Sequence, residues 1–327
     1  MSGIGAGAGS GRPGPEQDGD DSSPDEIDLT RGGSPREGRI DALARYVFGA
    51  CALVTVLTTL GIFVVLLQGS VSFFQEVSLL SYLTGTIWDP LSDSPEFGVL
   101  PLVWGTLVVT VGSALIALPV GTLAAIYLSE YASGRTRSIL KPTLEILAGI
   151  PTIVYGFFAL SFITPVIQRF FPETGTFNAA AGAIVVGIMI IPMISSLSED
   201  AMSSVPDDLR QAAYGLGATK FEVSTSVVVP ASLSGIVAAY ILAISRAIGE
   251  TMAVTLAVGM HPQITTDILG EMQTMTAYMV QVGTGDVSVD AIGYRSLFAV
   301  GLTLFAMTLA MNLLSLWVKA RYREEYE

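Results

Sequence analysis

The sequence predicts an all-α membrane protein with six transmembrane helices. Three observations carry that reading: six long apolar stretches, an uneven distribution of lysine and arginine between them, and a composition too apolar for a water-soluble domain. Of the 327 residues, 51% are hydrophobic, and the mean hydropathy is +0.60. A chain of that balance is read against a bilayer before it is read against water.

Residues 1–39 stand apart from this pattern. Glycine, proline, serine and acids dominate them, and eight of the 29 acids of the chain, Glu16, Asp18, Asp20, Asp21, Asp25, Glu26, Asp28 and Glu37, lie there. Such a stretch cannot bury enough apolar surface to offset its ordering entropy, so a disordered acidic cytoplasmic tail is expected. Its glycines follow no strand, which leaves a dinucleotide fingerprint unsupported. The apolar run that follows starts too late and runs too long for a cleavable signal peptide. The acidic balance argues against a nucleic-acid partner. A lone Cys51 excludes an internal disulfide, and a lone His261 without cysteine partners leaves no metal set and no cofactor site.

The apolar stretches fall at about 44–68, 99–128, 143–168, 179–198, 231–259 and 294–318. Most reach the roughly 20 residues that a helix needs to cross a bilayer core. They organise the chain into a first transmembrane helix with its outer loop over 40–98, a transmembrane domain over 99–320, and a C-terminus over 321–327. An even number of crossings puts both termini on one side, and the basic residues choose the side. Arg31, Arg36, Arg39 and Arg45 precede the first stretch, Arg135, Arg137 and Lys141 fill the second connection, Arg210 and Lys220 the fourth, and Lys319, Arg321 and Arg323 the end. The intervening connections carry only Arg169, with Arg295 at the mouth of the last stretch. The positive-inside rule therefore places both termini in the cytoplasm of a multi-pass cell-membrane protein.

Pro119, Pro151, Pro165 and Pro192, with Gly112, Gly121, Gly149, Gly156, Gly182 and Gly187 nearby, interrupt the middle stretches. Broken or closely packed helices at membrane depth are tolerated where they face protein or a water-filled cavity, so a bundle with a pathway is expected. In the outer loop after His261, a short helix could put Met272, Met275 and Met279 on one side, for core packing or for docking.

Two features carry chemistry. The first is a polar interlude over 206–230, in which Gln211, Ala212 and Ala213 are followed at a fixed distance by Gly217, and then by Val227, Val228, Val229 and Pro230. Leu209 to Leu216 reads as a short helix whose small alanines admit close approach of another surface, with Gly215 and Gly217 supplying the turn. Lys220 to Val229 restarts a helix. The second feature is a pair of charges, Arg246 and Glu250, inside the fifth apolar stretch. An arginine at membrane depth costs about 2.5 to 3.5 kcal/mol on insertion scales, so it calls for a reason. Either the two form an i,i+4 pair that braces the helix, in the less favourable cation-first order, or Arg246 meets a tetrahedral oxyanion with its guanidinium fork and Glu250 holds it between passages.

The interlude has the spacing E-A-A-x3-G-x9-I-x-L-P and resembles the cytoplasmic coupling loop of ABC importer permeases, with Gln211 in place of the leading glutamate and valines at the Ile and Leu places. The run Arg246-Ala247-Ile248-Gly249-Glu250-Thr251-Met252-Ala253-Val254 is similar to the signature of phosphate ABC importer permeases of the PstC type. So are Leu147 to Leu160 and Ala124 to Tyr131. The resemblance covers about residues 98–320 and implies the type I, MetI-like permease fold. It also implies a prokaryotic heterodimer with a PstA-like permease, two ATP-binding subunits, an extracellular phosphate-binding protein, and inorganic phosphate as the cargo. Arg246 and Glu250 would then line the substrate pathway, and Gln211, Ala212, Ala213, Gly217 and Pro230 would couple it to the ATPases. None of Lys141, Lys220 and Lys319 follows a glycine, so the chain carries no GxxxxGK[ST] phosphate loop and is expected to transport rather than hydrolyse. Another oxyanion, such as sulfate or molybdate, and an ion-coupled secondary transporter are the rival readings.

Overall fold

The computed structural model describes residues 35–90, 92 and 94–321. The expected tail up to residue 34 and residues 322–327 lie outside them. The chain divides into two compact units, Met1–Thr59 and Leu60–Glu327.

The described part of the first unit is helical. Helix α1 spans Pro35–Phe74, and a proline at its start loses nothing, because the first amides of a helix have no intrahelical acceptor. The disordered tail expected to reach residue 39 is therefore corrected: residues 35–39 are helical. Within this unit Thr55 Oγ1 donates to the Cys51 carbonyl at 3.1 Å, which satisfies the hydroxyl inside its own helix.

The second unit begins with the rest of α1, followed by α2 (Leu79–Thr84) and a two-stranded hairpin, β1 (Trp88–Asp89) antiparallel to β2 (Glu96–Phe97). Helix α3 (Leu100–Ile126) runs into a π-helical turn at Tyr127–Tyr131, and α4 (Gly134–Ala148) follows. The next crossing is made of α5 (Thr152–Phe158), a π turn at Ala159–Ile163 and α6 (Thr164–Phe170). Helix α7 (Ala179–Ser203) leads to the short α8 (Asp207–Gly215). Then come α9 (Lys220–Val223), a π turn at Ser224–Val228 and α10 (Val229–Ala231). Helices α11 (Leu233–Ile248), α12 (Met252–Ala257), α13 (Met275–Thr284) and α14 (Ile292–Arg321) complete the chain.

Two of the three π turns end just before a proline, at Pro165 and Pro230. A proline ring cannot donate and collides with the carbonyl four residues back, here Ser161 and Ser226, both inside the widened turns. The wider turn accommodates the ring and lets the helix continue.

Among the described residues, five helices are long and apolar enough to cross a membrane, and six if the bent pair Lys220–Ala231 and Leu233–Ile248 counts as one crossing. That pair is bent by 70°. Two boundaries differ from the sequence expectation. The third crossing starts at Thr152, not near residue 143, because Pro151 excludes Ile150 from helical geometry and leaves α4 as a separate amphipathic helix. The fifth is not continuous to residue 259 but stops at Ile248 and restarts at Met252.

The core lies between α3 and α7, with α5, α11 and α12 around them; Val109, Ala117, Ile190, Ile194 and Val254 are buried there. Small residues permit the approach: a Cβ added at Gly121 would sit 2.7 Å from Ile194 Cγ2. In a second cluster of this unit Phe73, Tyr82, Trp88, Phe97 and Tyr278 pack edge to face. Met272 and Met275 are fully buried and the half-buried Met279 packs against the aromatic cluster, so these methionines serve packing.

Candidate functional site: a cationic cavity and an exposed elbow

Arg246 occupies the last turn of α11, where a cation is favoured by the carbonyl end of the helix dipole. It opens onto a cavity of about 820 Å³ lined from α4, α7, α11 and α14 together with Leu128 in the first π turn. Lys141, Glu145, Pro192, Glu199 and Ser245 also line it. Among the described residues Arg246 joins no ion pair. A guanidinium in that state keeps its five donors for something that enters.

The i,i+4 brace, one of the two sequence readings of Arg246 and Glu250, does not form. Gly249 ends α11, so the i,i+4 geometry needed for pairing does not exist. Glu250 is buried and turns the other way: its Oε1 accepts from the Ala253 amide at 3.2 Å, at the start of α12. Its carbonyl accepts from Thr276 Oγ1 at 2.6 Å. The cation-first order, unfavourable on one helix, becomes favourable at a break, where the arginine closes one helix and the glutamate opens the next.

A second charged group bounds the same cavity. Glu199, near the end of α7, is fully buried, and two cations from α4 neutralise it. Lys141 Nζ donates to Oε2 at 2.7 Å, and Arg137 donates to Oε1. Lys141 also reaches Asp200 at 3.0 Å. These two carboxylates, Glu199 first, push the Lys141 ammonium above the ordinary lysine range. On the alkaline side its pairing therefore persists through the ordinary lysine range and is lost as pH rises past the raised value. The partners lie some 60 residues apart in the chain, which hid them from sequence reading. The available signal was two acids, Glu199 and Asp200, closing an apolar run opposite a basic connection.

The elbow after α7 is also built locally. Asp207 and Asp208 occupy the first turn of α8, which suits the amide end of a helix. Gly217 turns the chain with φ +86°, a conformation that glycine adopts without penalty. Thr219 and Glu222 form a reciprocal capping box that starts α9. Arg210 fastens the elbow to the bundle: it donates to the Met202 carbonyl at 2.8 Å and pairs with Glu130 at 3.2 Å. Val223 and Val228 are buried against Ala125, Met202 and Ile236, with the half-buried Ala213 packed on them. Gln211 and Ala212 face outward, as do Tyr214, Phe221 and Leu216, the last 90% exposed. Pro230 sits at the start of α10, at the 70° bend into α11. The elbow and the Arg246 helix are thus consecutive pieces of one bent element.

The family model described as binding-protein-dependent transport system inner membrane component matches residues 117–324. The probable ABC transporter permease protein YqgH of Bacillus subtilis is 35% identical over 282 residues, which are 85% of this chain and 90% of that one. The phosphate transport system permease protein PstC of Mesorhizobium japonicum is 33% identical, over 82% of this chain and 86% of its own. The phosphate transport system permease protein PstA 1 of Mycobacterium tuberculosis is 30% identical, over 68% and 70%. A solved bacterial ABC transporter involved in the import of the acidic polysaccharide alginate shares the fold, with a TM-score of 0.61 at 14% identity over 88% of this chain and 100% of that one. With the family model spanning α3 to α14 and relatives of this identity over most of their length, the chain belongs to the binding-protein-dependent transport system inner membrane components, the permease subunits of ABC importers.

Proposed function

We propose that this chain is the PstC-like permease subunit of an ATP-driven phosphate importer in a prokaryotic cell membrane. It forms the route for inorganic phosphate together with a PstA-like permease. The observation that carries the reading is Arg246, a guanidinium without an ion-pair partner among the described residues, opening onto a cavity between the helices. Its planar fork matches a tetrahedral oxyanion better than a lysine would. The names of the relatives, PstC and PstA, point to phosphate as that oxyanion.

The elbow is the part on which separate ATP-binding subunits act. Leu216, Phe221 and Tyr214 leave apolar surface in water beside the small outward-facing Ala212, as a docking surface requires. Closure of the ATP-binding subunits moves the elbow, and the bent element carries that motion to α11 and Arg246. An extracellular binding protein delivers phosphate to the outward-open form. Hydrolysis and product release return the bundle, a population shift driven from outside this chain.

The test is uptake of labelled phosphate by the assembled importer in proteoliposomes, with ATP inside and binding protein outside. Phosphate uptake that requires ATP and resists excess sulfate and molybdate supports the reading. Inhibition by either anion at equal concentration points to a different oxyanion. Uptake that persists without the ATP-binding subunits points to an ion-coupled carrier.

A further inference from the structure

We propose that Lys141 is a second anion contact on the way from Arg246 to the cytoplasm, lent to the passing anion by the buried Glu199. The proposal rests on the phosphate reading above and adds a residue and a step to it. Lys141 and Arg246 line one cavity, from α4 and α11 respectively. The arginine and lysine distribution assigns the α4 side to the cytoplasm.

The pairing around Glu199 is what makes the loan possible. A fully buried carboxylate that loses its only cation leaves an uncompensated charge, which is strongly destabilising. Glu199 has two cations, Lys141 at 2.7 Å and Arg137 on the other oxygen. Ser203 Oγ also donates to it at 3.1 Å. Arg137 is further anchored on the Ser203 hydroxyl at 3.2 Å, so it can neutralise Glu199 alone while Lys141 turns to another oxyanion. Lysine suits that part, being a compact charge on a flexible stem with no fixed fork to satisfy. Asp200, the other partner of Lys141, is 58% exposed and gives it up to solvent without cost of burial. A pathway conducts when its sites hold the ion well enough to admit it and weakly enough to release it. Arg246 supplies the first condition. A lysine for which two carboxylates compete supplies the second.

The test uses the assembled importer carrying Cys51→Ser and Glu199→Gln, with Lys141→Cys alkylated to place either a positive or a negative side chain there. Labelled phosphate uptake and complex yield are measured beside the parent. A Lys141→Met/Glu199→Gln double variant removes the pair without leaving a buried charge. If Lys141 contacts the anion, the double variant assembles normally but its maximal uptake falls about tenfold or more, with the half-saturating phosphate concentration little changed. The cationic adduct recovers most of the rate and the anionic adduct does not. If Lys141 only staples α4 to α7, the double variant transports at the parent rate and both adducts behave alike, which overturns the proposal and leaves the phosphate reading standing. A parent complex that imports no phosphate overturns both.

Discussion

At the scale of single residues, Arg246 and Glu250 have different jobs although four positions separate them. The glutamate side chain accepts from the Ala253 amide at the start of α12, an acceptor's role that an amide oxygen also fills. Glu250→Gln is therefore expected to assemble and transport close to the parent, whereas Glu250→Ala loses the cap at a cost of about 1 kcal/mol and lowers the yield of complex. Thermal unfolding of the purified importer and uptake rates check both, and a Gln variant as inactive as an Arg246 variant would assign the charge of Glu250 a direct part. Arg246 was legible because a charge within an apolar run has no cheap explanation. Glu199 was not, because it lies at the polar end of its run and its significance comes from cations in a different connection.

At the scale of elements, the elbow and the helix breaks decide the outcome. Gly217 has open space around it, so a side chain there meets no atom, and only its φ of +86° opposes substitution. Gly217→Ala is expected to cost about 1 to 2 kcal/mol of local strain, and so to weaken co-purification of the ATP-binding subunits without abolishing it. Leu216→Asp spoils the docking surface and touches nothing inside, so the chain should fold normally and lose its ATPase partners. Arg210→Ala cuts the elbow from Glu130 and the end of α7. The expected result is a complex that assembles and hydrolyses ATP while phosphate uptake per ATP falls several-fold, measured as the ratio of the two rates. The elbow was readable in the sequence because its turn, caps and small residues are local. The breaks at Pro151 and Gly249 were only half readable. Hydropathy runs smoothly across them, and backbone termination, not polarity, sets where the third crossing starts and the fifth stops.

At the scale of the whole molecule, the second unit is held by close packing of small residues, not by a large difference in polarity between inside and outside, as expected where lipid is as apolar as the core. Gly121 against Ile194 is the sharpest case. Gly121→Leu is expected to overpack α3 against α7 by about 1 to 3 kcal/mol, visible as a lowered unfolding temperature of the importer in detergent. The crossings and their order were legible from hydropathy alone, with the bent pair counted as one crossing. The cavity was not, because it is formed by four helices distant in sequence. The measurement that bears most directly on the account is labelled phosphate uptake by the assembled importer carrying Arg246→Ala. Complex yield and ATP hydrolysis should stay near the parent while uptake is lost, with Arg246→Lys restoring a part of it. Parent-level uptake by Arg246→Ala, from a complex of normal yield, would contradict the role given to the cavity.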